Sequence, residues 1–568
     1  MAERTTWEYQ GPNGNRPSPA SRFGYVDAAM FVAAIGFFFL SRKFAEEVAP
    51  FPTAGILVPV CMAIAIGLFL AALSDVVIPA RVLVYVFIAT LALCAVFDYM
   101  AATQLGPLPS DEVGITNTAT QLLVDGTNPY SADYRAANPA IAAKPTSWFT
   151  PTFSGQRVAE YAYPAGTVLA LAPFVALFGT GWLTRLYLMG FLVSALIAWW
   201  VVPKQVRPIL PAVVLLQTIA AVGGGSIDVV WLPFLIVAVW AWPRFVPRDT
   251  TRPWLRLAGP VALGIACSMK QNAWFVAPFL VTGVAMEAYL LGRRWLAVAA
   301  SYLGIVAGVF VLVNVGFMVA DLSAWLKTVA APFTLHTVIA GDGIAAIPLS
   351  GTAGGDHLEL LGIAAAVSGV GSLFVAALYY ERCRRVLPLL AIIPLTLATR
   401  TLSSYLDFLI IPALVAATTL PELTSVRRVP RTLLRGARAG ALTAAALCAV
   451  IIGVVLTRSS PLTLEVSATR ISGGAWQSTT VSVVNRSSRT MTPSFFAAPE
   501  GAINYTLTRL AGPTALPPGS TAVYVLAPVP TDKGLGPGDQ VRIVALGDLP
   551  ESISQSDPFV IGGSAGGQ

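Results

Sequence analysis

Asp111 and Glu112 form an acidic pair within the longest polar segment of the chain. This polar segment runs from Met100 to about Tyr163 and interrupts a sequence that is otherwise apolar as far as residue 457. Partial burial and a neighbouring negative charge both raise the proton affinity of a carboxylate. Such a carboxylate can accept the proton of a hydroxyl group that attacks an activated carbon. The pair is therefore a candidate general base, and an ordinary solvated pair of charges is the alternative.

Lys270 and Arg400 lie at the ends of apolar stretches and are candidates for binding a phosphate group. Ionisable residues at membrane depth are costly and tend to mark functional sites. A lysine supplies a compact positive charge, and an arginine can hold phosphate oxygens through two parallel hydrogen bonds. The alternatives are a lysine that extends to the membrane interface and an arginine that anchors a helix end or pairs with Asp407.

Two further kinds of residue are candidates for contacting a sugar. Asp228 follows a run of three glycines and is suited to bind a hydroxyl group, although an ion pair with Lys270 is the simpler interpretation. Trp148 and Trp182 are suited to stack on a sugar ring. The tryptophans near the ends of apolar stretches are instead typical of an interfacial aromatic belt.

Several kinds of chemistry are disfavoured by the sequence. The two histidines, His336 and His357, lack a metal-ligand spacing and are expected to lie in a solvated loop. The polar segment has no D-x-D motif, so no metal is predicted. The five cysteines form no C-x-x-C pair and are expected to be buried apolar residues. P-loop and dinucleotide signatures are absent from the sequence, which disfavours ATP-driven transport and nucleotide sugars.

The composition indicates a membrane protein, because 55% of the 568 residues are apolar, 11% are charged and the mean hydropathy is +0.70. The net charge of +7 comes from arginine clusters between apolar stretches, so nucleic acid is not an expected partner. A bilayer core about 30 Å thick needs roughly 20 apolar residues per helix. We predict thirteen transmembrane helices, at 25–45, 53–74, 80–100, 182–202, 208–223, 226–243, 257–270, 273–291, 296–319, 358–380, 387–400, 403–420 and 439–457.

The distribution of Lys and Arg predicts the orientation in a plasma membrane, because short cytoplasmic loops carry the excess of these residues. With residues 1–24 as a cytoplasmic tail, twenty of the thirty-six basic residues fall in inner segments. The transmembrane domain then covers residues 25–457 and carries an outer loop at 101–181. This orientation requires the apolar run from Tyr163 to Phe178 to be a juxtamembrane or re-entrant helix.

The composition changes at about Arg458, after which β-branched residues alternate with polar ones. Short segments of this kind, such as Thr479–Val484, are separated by turn signals at Gly473-Gly474 and Pro517-Pro518-Gly519. Evenly spaced short strands of this type are typical of a sandwich. We therefore predict that residues 458–568 form an extracytoplasmic β-sandwich domain.

The order of features in the polar segment resembles the first outer loop of the GT-C superfamily. The acidic pair is followed by a short helix, by the turn Gly126-Thr127-Asn128-Pro129-Tyr130 and by Tyr163-Pro164, which opens an apolar helix. GT-C proteins are multi-pass glycosyltransferases that take a sugar from a polyprenyl-phosphate carrier. The chain is similar to the mannosyltransferases and arabinofuranosyltransferases of actinobacteria, over roughly residues 80 to 420 in helix pattern.

The resemblance implies an inverting transfer of a sugar from a polyprenyl-phosphate donor to a lipid-linked or cell-wall glycan at the outer membrane face, with no further cofactor. The implied base is Asp111 or Glu112, and Asp111 is slightly favoured, although spacing does not separate the two. The implied phosphate ligands are Lys270 and Arg400, and the implied substrate contacts are Tyr130, Tyr163, Asp228 and Trp182. The alternative function is a multi-pass transporter or flippase of a lipid-linked glycan, which would also use intramembrane charges.

Overall fold

The structure of the 568-residue chain is a computed structural model. It describes residues 25–46, 51, 53–73, 79–105, 108, 110–221, 227–246, 253–341, 343–402, 405, 408–420, 429–499, 503, 505–529 and 535–562. The predicted cytoplasmic tail, residues 1–24, lies outside these ranges, as does Asp407.

Most of the described chain before residue 458 is helical. Its α-helices are Tyr25–Glu46, Ala54–Leu73, Ala80–Leu105, Asp111–Val124, Tyr134–Ala137, Pro139–Ala142, Gly166–Phe178, Leu183–Val201, Leu210–Ala221, Leu232–Ala241, Pro253–Met269, Asn272–Leu290, Trp295–Ala320, Leu322–Thr334, Ala346–Ser350, Leu360–Leu378, Tyr380–Cys383, Ile392–Leu397, Ile410–Thr419 and Arg431–Thr457. Short 3₁₀ helices cover Thr146–Trp148, Thr180–Trp182, Arg207–Ile209, Ile227–Val230, Trp242–Arg244 and Arg384–Ala391.

Eight helical segments in the described ranges are long and apolar enough to cross a membrane, namely Asp27–Glu46, Ala54–Leu73, Arg81–Gln104, Thr180–Val201, Asn272–Leu290, Trp295–Ala320, Leu360–Leu378 and Arg431–Thr457. A helix of 20 residues is about 30 Å long, which is the thickness of the hydrocarbon core. The prediction of a multi-pass helical protein is confirmed in this form. The predicted count of thirteen spans is not confirmed, because several predicted spans are short helices here, including Leu232–Arg244 and Ile410–Thr419.

The chain forms two compact units, residues 1–100 with 202–219 and residues 101–201 with 220–568. In the first unit, the helices Tyr25–Glu46 and Ala54–Leu73 pack against each other, and the rings of Phe31 and Phe69 meet edge to face at 4.7 Å between centroids. The first unit also contains most of the helices Ala80–Leu105 and Leu210–Ala221, whereas the second unit contains most of the polar segment, most of the other helices and all of the described strands.

The strands after residue 458 form one antiparallel sheet. They are β5 (Leu462–Ser472), β6 (Ala475–Asn485), β7 (Ser494–Pro499), β8 (Tyr505–Ala511), β9 (Thr521–Pro528), β10 (Gln540–Gly547), β11 (Ser552–Gln555) and β12 (Phe559–Val560), whereas β1 (Thr150–Pro151), β2 (Arg157–Val158), β3 (Ala340–Gly341) and β4 (Arg400–Thr401) belong to two small sheets. The strand order is β11-β10-β7-β8-β9-β6-β5, and β12 pairs with β10.

The strands of this domain follow the alternation of β-branched and polar residues seen in the sequence. Val481 and Val483 on β6 point inward and are fully buried, because successive side chains of a strand point to opposite faces. Gly473 and Gly474, both with positive φ, make the tight turn between β5 and β6. A strand-rich C-terminal domain is therefore confirmed. Its pairing describes a single half-barrel sheet, and the predicted two-sheet sandwich is not confirmed.

The strand domain shares a hydrophobic core with the segments that precede it. Phe496, Val544 and Ile553 pack in one cluster with Phe153 of the polar segment and with Val455 at the end of the last long helix. The domain therefore cannot be removed without exposing apolar surface on the polar segment and on that helix.

We expect Phe496→Ala to destabilise the protein, because the Phe496 side chain is fully buried in this shared core. Truncation of a buried phenylalanine costs about 3–5 kcal/mol. Leu510→Ala is the control, because the Leu510 side chain is 62% exposed on β8 of the same domain. Thermal unfolding in one detergent measures both variants, and equal midpoints for the two would contradict the shared core.

Candidate functional site

The helix Asp111–Val124, here called the loop helix, places the acidic pair at its first turn. Ser110 precedes the helix with extended backbone, and its side chain accepts a hydrogen bond from the Val113 N–H at 3.3 Å. A serine at this position satisfies a backbone donor that the helix leaves unpaired. Negative charge at the first turn is favoured by the helix dipole. The local sequence therefore fixes both the start of the helix and the position of the two carboxylates.

Asp111 holds the polar segment together. Its Oδ2 accepts hydrogen bonds from the backbone N–H of Thr150 at 2.8 Å and from the Thr150 hydroxyl at 2.7 Å. Its Oδ1 accepts the Glu112 N–H at 2.8 Å. These bonds tie the start of the loop helix to strand β1, which lies 39 residues further along the chain. Both Asp111 oxygens therefore serve to position the loop helix against strand β1.

Glu112 faces a buried cation. Its Oε1 accepts hydrogen bonds from the Lys270 ammonium and, at 3.2 Å, from the Tyr163 hydroxyl. The Lys270 side chain is 2% exposed and the Glu112 side chain is 18% exposed. The ammonium also lies over the rings of Tyr163 and Tyr405, at 5.2 and 5.3 Å from their centroids. Aromatic faces attract cations, so these rings help to stabilise the charge of Lys270.

Gly166 makes the approach of Lys270 to the polar segment possible. A Cβ atom at residue 166 would lie 2.6 Å from the Ser268 carbonyl oxygen, which is closer than a side chain can come. The next residue, Thr167, donates its hydroxyl to the Met269 carbonyl oxygen at 2.9 Å. The helix Gly166–Phe178 therefore packs directly on the chain just before Lys270, and the Tyr163 side chain is brought to the same place.

A network of buried polar groups supports Tyr163. The Tyr130 hydroxyl donates to the Tyr163 carbonyl oxygen at 2.9 Å, and the Gln271 amide donates to the Ala162 carbonyl oxygen at 2.7 Å. Asn314 accepts the Ala165 N–H at 2.9 Å. Burial raises the pKa of the Tyr130 phenol well above its ordinary value, so this group is a neutral donor at physiological pH.

The sequence did not predict Gln271 and Asn314 as parts of this network. Asn314 is a buried amide within the long apolar helix Trp295–Ala320. An amide in such a helix is a usable signal, because polar side chains at membrane depth need a partner. Gln271 follows Lys270 directly, and its two backbone acceptors lie in segments far apart in the sequence, so no local pattern points to them.

The other predicted site residues lie elsewhere or cannot be placed. Arg400 lies on β4, is half-buried and donates to the Val338 carbonyl oxygen at 3.4 Å, so its described bonds do not join it to Lys270 or Glu112. Trp182 is 48% exposed, and the Arg185 guanidinium stacks on its ring at 4.7 Å. The side chain of Asp228 lies outside the part of the chain that the structure describes.

Both histidines lie in loop segments at the junction with the strand domain. The His336 side chain is 43% exposed, as expected for a solvated loop, whereas the His357 side chain is 27% exposed. His336 pairs through Nδ1 with Glu551 Oε1, and His357 Nδ1 lies 3.0 Å from Glu359 Oε1. Burial raises the pKa of the Glu551 carboxyl, and the hydrogen bond with His336 opposes that rise. Over the described residues, no group of three or more His, Cys, Asp or Glu side chains is arranged to hold a metal ion.

The fold and the site define a class, which is a multi-pass helical membrane protein with a half-barrel strand domain at its C-terminus. The sequence matches no protein-family model and no curated protein, and the structure matches no solved structure. Any statement of function therefore rests on the residues and geometry of this chain.

We predict strong energetic coupling between Glu112 and Lys270. Breaking a buried ion pair leaves a charge with less compensation, so Glu112→Gln and Lys270→Met should each lower stability. The double variant should lose less than the sum of the two, by about 0.5–3 kcal/mol, as contacting residues do. Chemical unfolding of the four proteins in one detergent measures this coupling.

The exposed pair Lys327 and Glu160 provides the control cycle, because their side chains are 74% and 62% exposed and 3.8 Å apart. Surface pairs couple weakly. A coupling at Glu112 and Lys270 no larger than that of this exposed pair would contradict the structural role of the buried one.

Proposed function

We propose that the protein is a glycosyltransferase that moves a sugar from a polyprenyl-phosphate donor to a glycan acceptor at the outer face of the plasma membrane. The observation that carries the proposal is the Glu112 carboxylate held against the buried ammonium of Lys270. This arrangement offers a proton acceptor and a positive charge side by side, which are the two groups that the reaction requires.

In the proposed reaction, the acceptor hydroxyl oxygen attacks the anomeric carbon and inverts its configuration. The bond between that carbon and the phosphate oxygen breaks, and the electron pair leaves with the polyprenyl phosphate. Glu112 takes the proton of the acceptor hydroxyl. Lys270 stabilises the charge that develops on the departing phosphate, where a preorganised cation contributes most.

In this proposal, binding of the donor phosphate to Lys270 also activates Glu112 as the base, because Glu112 and Lys270 are paired before the donor binds. The Lys270 side chain is 2% exposed, so a phosphate can reach the ammonium only if Glu112 moves away from it. The donor phosphate then replaces the carboxylate as the partner of Lys270. Glu112 is thereby released beside the sugar, and its proton affinity rises because a compensating positive charge has been withdrawn.

Asp111 acts in this proposal as a positioning residue and not as the base. Both of its oxygens accept hydrogen bonds, and the donors are Thr150 and the backbone of Glu112. Hydrogen bonds to the ionised form lower the proton affinity of a carboxylate. Of the two predicted acids, Glu112 is therefore the better base.

The contacts of the polar segment support a common location for the site and the strand domain. Arg157 on β2 donates to the Thr506 hydroxyl at 2.5 Å and stacks on the Phe496 ring at 5.2 Å. Because these segments touch, they lie on the same side of any membrane that the helices cross. The distribution of Lys and Arg favours the outer side for both.

Glu112→Gln should lower the rate of sugar transfer by about two to four powers of ten, because a general base contributes this much. The measurement uses purified protein in nanodiscs with radiolabelled polyprenyl-phosphate mannose or arabinofuranose and a glycolipid acceptor. Glu160→Gln is the matched control, because Glu160 is an exposed glutamate of the same polar segment.

Full transfer by the Glu112→Gln protein would overturn the proposed mechanism. In a parallel assay with the protein in sealed vesicles, movement of the labelled lipid across the membrane without any transfer product would favour a flippase instead.

A further inference from the structure

The loop helix borders a second polar site that the proposed reaction does not use. An open cavity of about 330 Å³ lies between the loop helix, the short helix Pro139–Ala142 and Thr180. We call it the amide groove. Its polar lining residues are Asn117, Thr118, Gln121, Asp125, Asn138 and Thr180.

The amide groove lies on the opposite face of the loop helix from Glu112. An α-helix turns by about 100° per residue, so residues 117, 118, 121 and 125 point about 140° to 240° away from residue 112. Along the helix axis, Asn117 and Gln121 lie about 8 and 14 Å beyond Glu112. A molecule in the groove therefore does not place its own atoms at the Glu112 carboxylate.

The side chains of the groove are held in fixed orientations by one another. The Asn138 amide donates to the Thr118 hydroxyl at 2.7 Å, and the Gln121 amide donates to Asp125 Oδ1 at 2.9 Å. The Tyr187 hydroxyl donates to Asn117 Oδ1 at 2.8 Å. Asn117 and Thr118 are 3% and 4% exposed. Burial and hydrogen bonds thus preorganise Asn117 and Thr118, whereas Asp125 is exposed at the edge of the groove.

The lining chemistry selects for an uncharged polyhydroxylated ligand. Amides, a hydroxyl and a carboxylate both donate and accept hydrogen bonds, as vicinal hydroxyl groups require. Among the described lining residues there is no Lys or Arg, and Asp125 repels anions, so a phosphate or a uronate is disfavoured. Leu108 and Leu122 add apolar surface suited to the C–H face of a sugar ring.

The rim of the amide groove adjoins a surface suited to lipid. Thr180 begins the 3₁₀ helix that contains Trp182, and the residues just before it include Leu177 and Phe178, which are 74% and 59% exposed. Exposed apolar side chains of this size are stable where they face acyl chains. A glycan that is attached to a membrane lipid can therefore reach the groove.

We propose that the amide groove binds an uncharged sugar unit of the acceptor glycan that is remote from the reacting hydroxyl. The inference rests on the proposed glycosyltransferase function and adds that the acceptor contains at least two sugar units. A unit in the groove anchors the chain while another unit reaches Glu112 from the other side of the loop helix.

The test is direct binding in nanodiscs by saturation-transfer NMR, with a neutral mannotriose and a trigalacturonate of the same length as probes. Gln121→Trp fills the groove, and Gln156→Trp is the matched control at an exposed glutamine of the polar segment. We expect mannotriose to bind the wild-type and Gln156→Trp proteins equally. It should bind Gln121→Trp at least about tenfold more weakly, and trigalacturonate should bind none of the three proteins. Unchanged mannotriose binding by Gln121→Trp, or equal binding of trigalacturonate, would overturn the groove assignment.

A kinetic arm separates this proposal from the function on which it rests. For a glycolipid acceptor that carries mannotriose, Gln121→Trp should raise KM about tenfold and leave kcat unchanged. One outcome is that the wild-type protein binds mannotriose, Gln121→Trp weakens this binding, and the wild-type protein transfers no sugar. This outcome would refute the transferase function and keep the groove as a glycan-binding site. If Gln121→Trp transfers sugar with an unchanged KM, the groove is not an acceptor site, although the transferase function stands. This holds whether soluble mannotriose or the glycolipid is the acceptor.

Discussion

The ion pair between Glu112 and the buried Lys270 is the constraint on which the rest of the site depends. An ammonium that is 2% exposed needs a compensating negative charge and further polar or aromatic partners. Glu112 supplies the charge, and the rings of Tyr163 and Tyr405 face the cation. These contacts hold the start of the loop helix and Tyr163 against the chain at Lys270.

Close packing and the strand domain reinforce this arrangement. The missing side chain at Gly166 allows two helices to meet beside Lys270, and Asp111 fixes the start of the loop helix to β1. Beyond β1, Arg157 joins the polar segment to β8 of the strand domain. A continuous path of contacts thus connects the half-barrel to the acidic pair, so the strand domain contributes to the shape of the site.

The sequence could predict the elements of this protein better than their connections. Hydropathy located the long helices, and the alternation on β6 located strands, because both depend on local patterns. The sheet order could not be predicted, since β7 lies between β10 and β8 through pairings of distant segments. In the same way, the contact of His336 with the strand domain could not be predicted, because its partner, Glu551, lies 215 residues away.

In the candidate site too, single residues could be predicted better than the contacts between them. The acidic pair was recognisable within the long polar segment and Lys270 at the end of an apolar stretch, but spacing alone could not separate the roles of the two adjacent acids. The two acids differ in their partners because the helix starts at Asp111. This start turns the Asp111 side chain towards Thr150 and the Glu112 side chain towards Lys270. The amide groove was not predicted, because its residues become neighbours only when the loop helix packs beside Asn138 and Thr180.

In the proposed mechanism, a donor phosphate takes the place of Glu112 beside Lys270. A cryo-electron microscopy structure with a non-reactive polyprenyl-phosphonate sugar tests this exchange directly. We expect a phosphonate oxygen within hydrogen-bond distance of the Lys270 ammonium, about 2.7–3.2 Å, and a Glu112 carboxylate turned towards the anomeric carbon. A bound analogue elsewhere in the protein, with Lys270 still paired to Glu112, would contradict it.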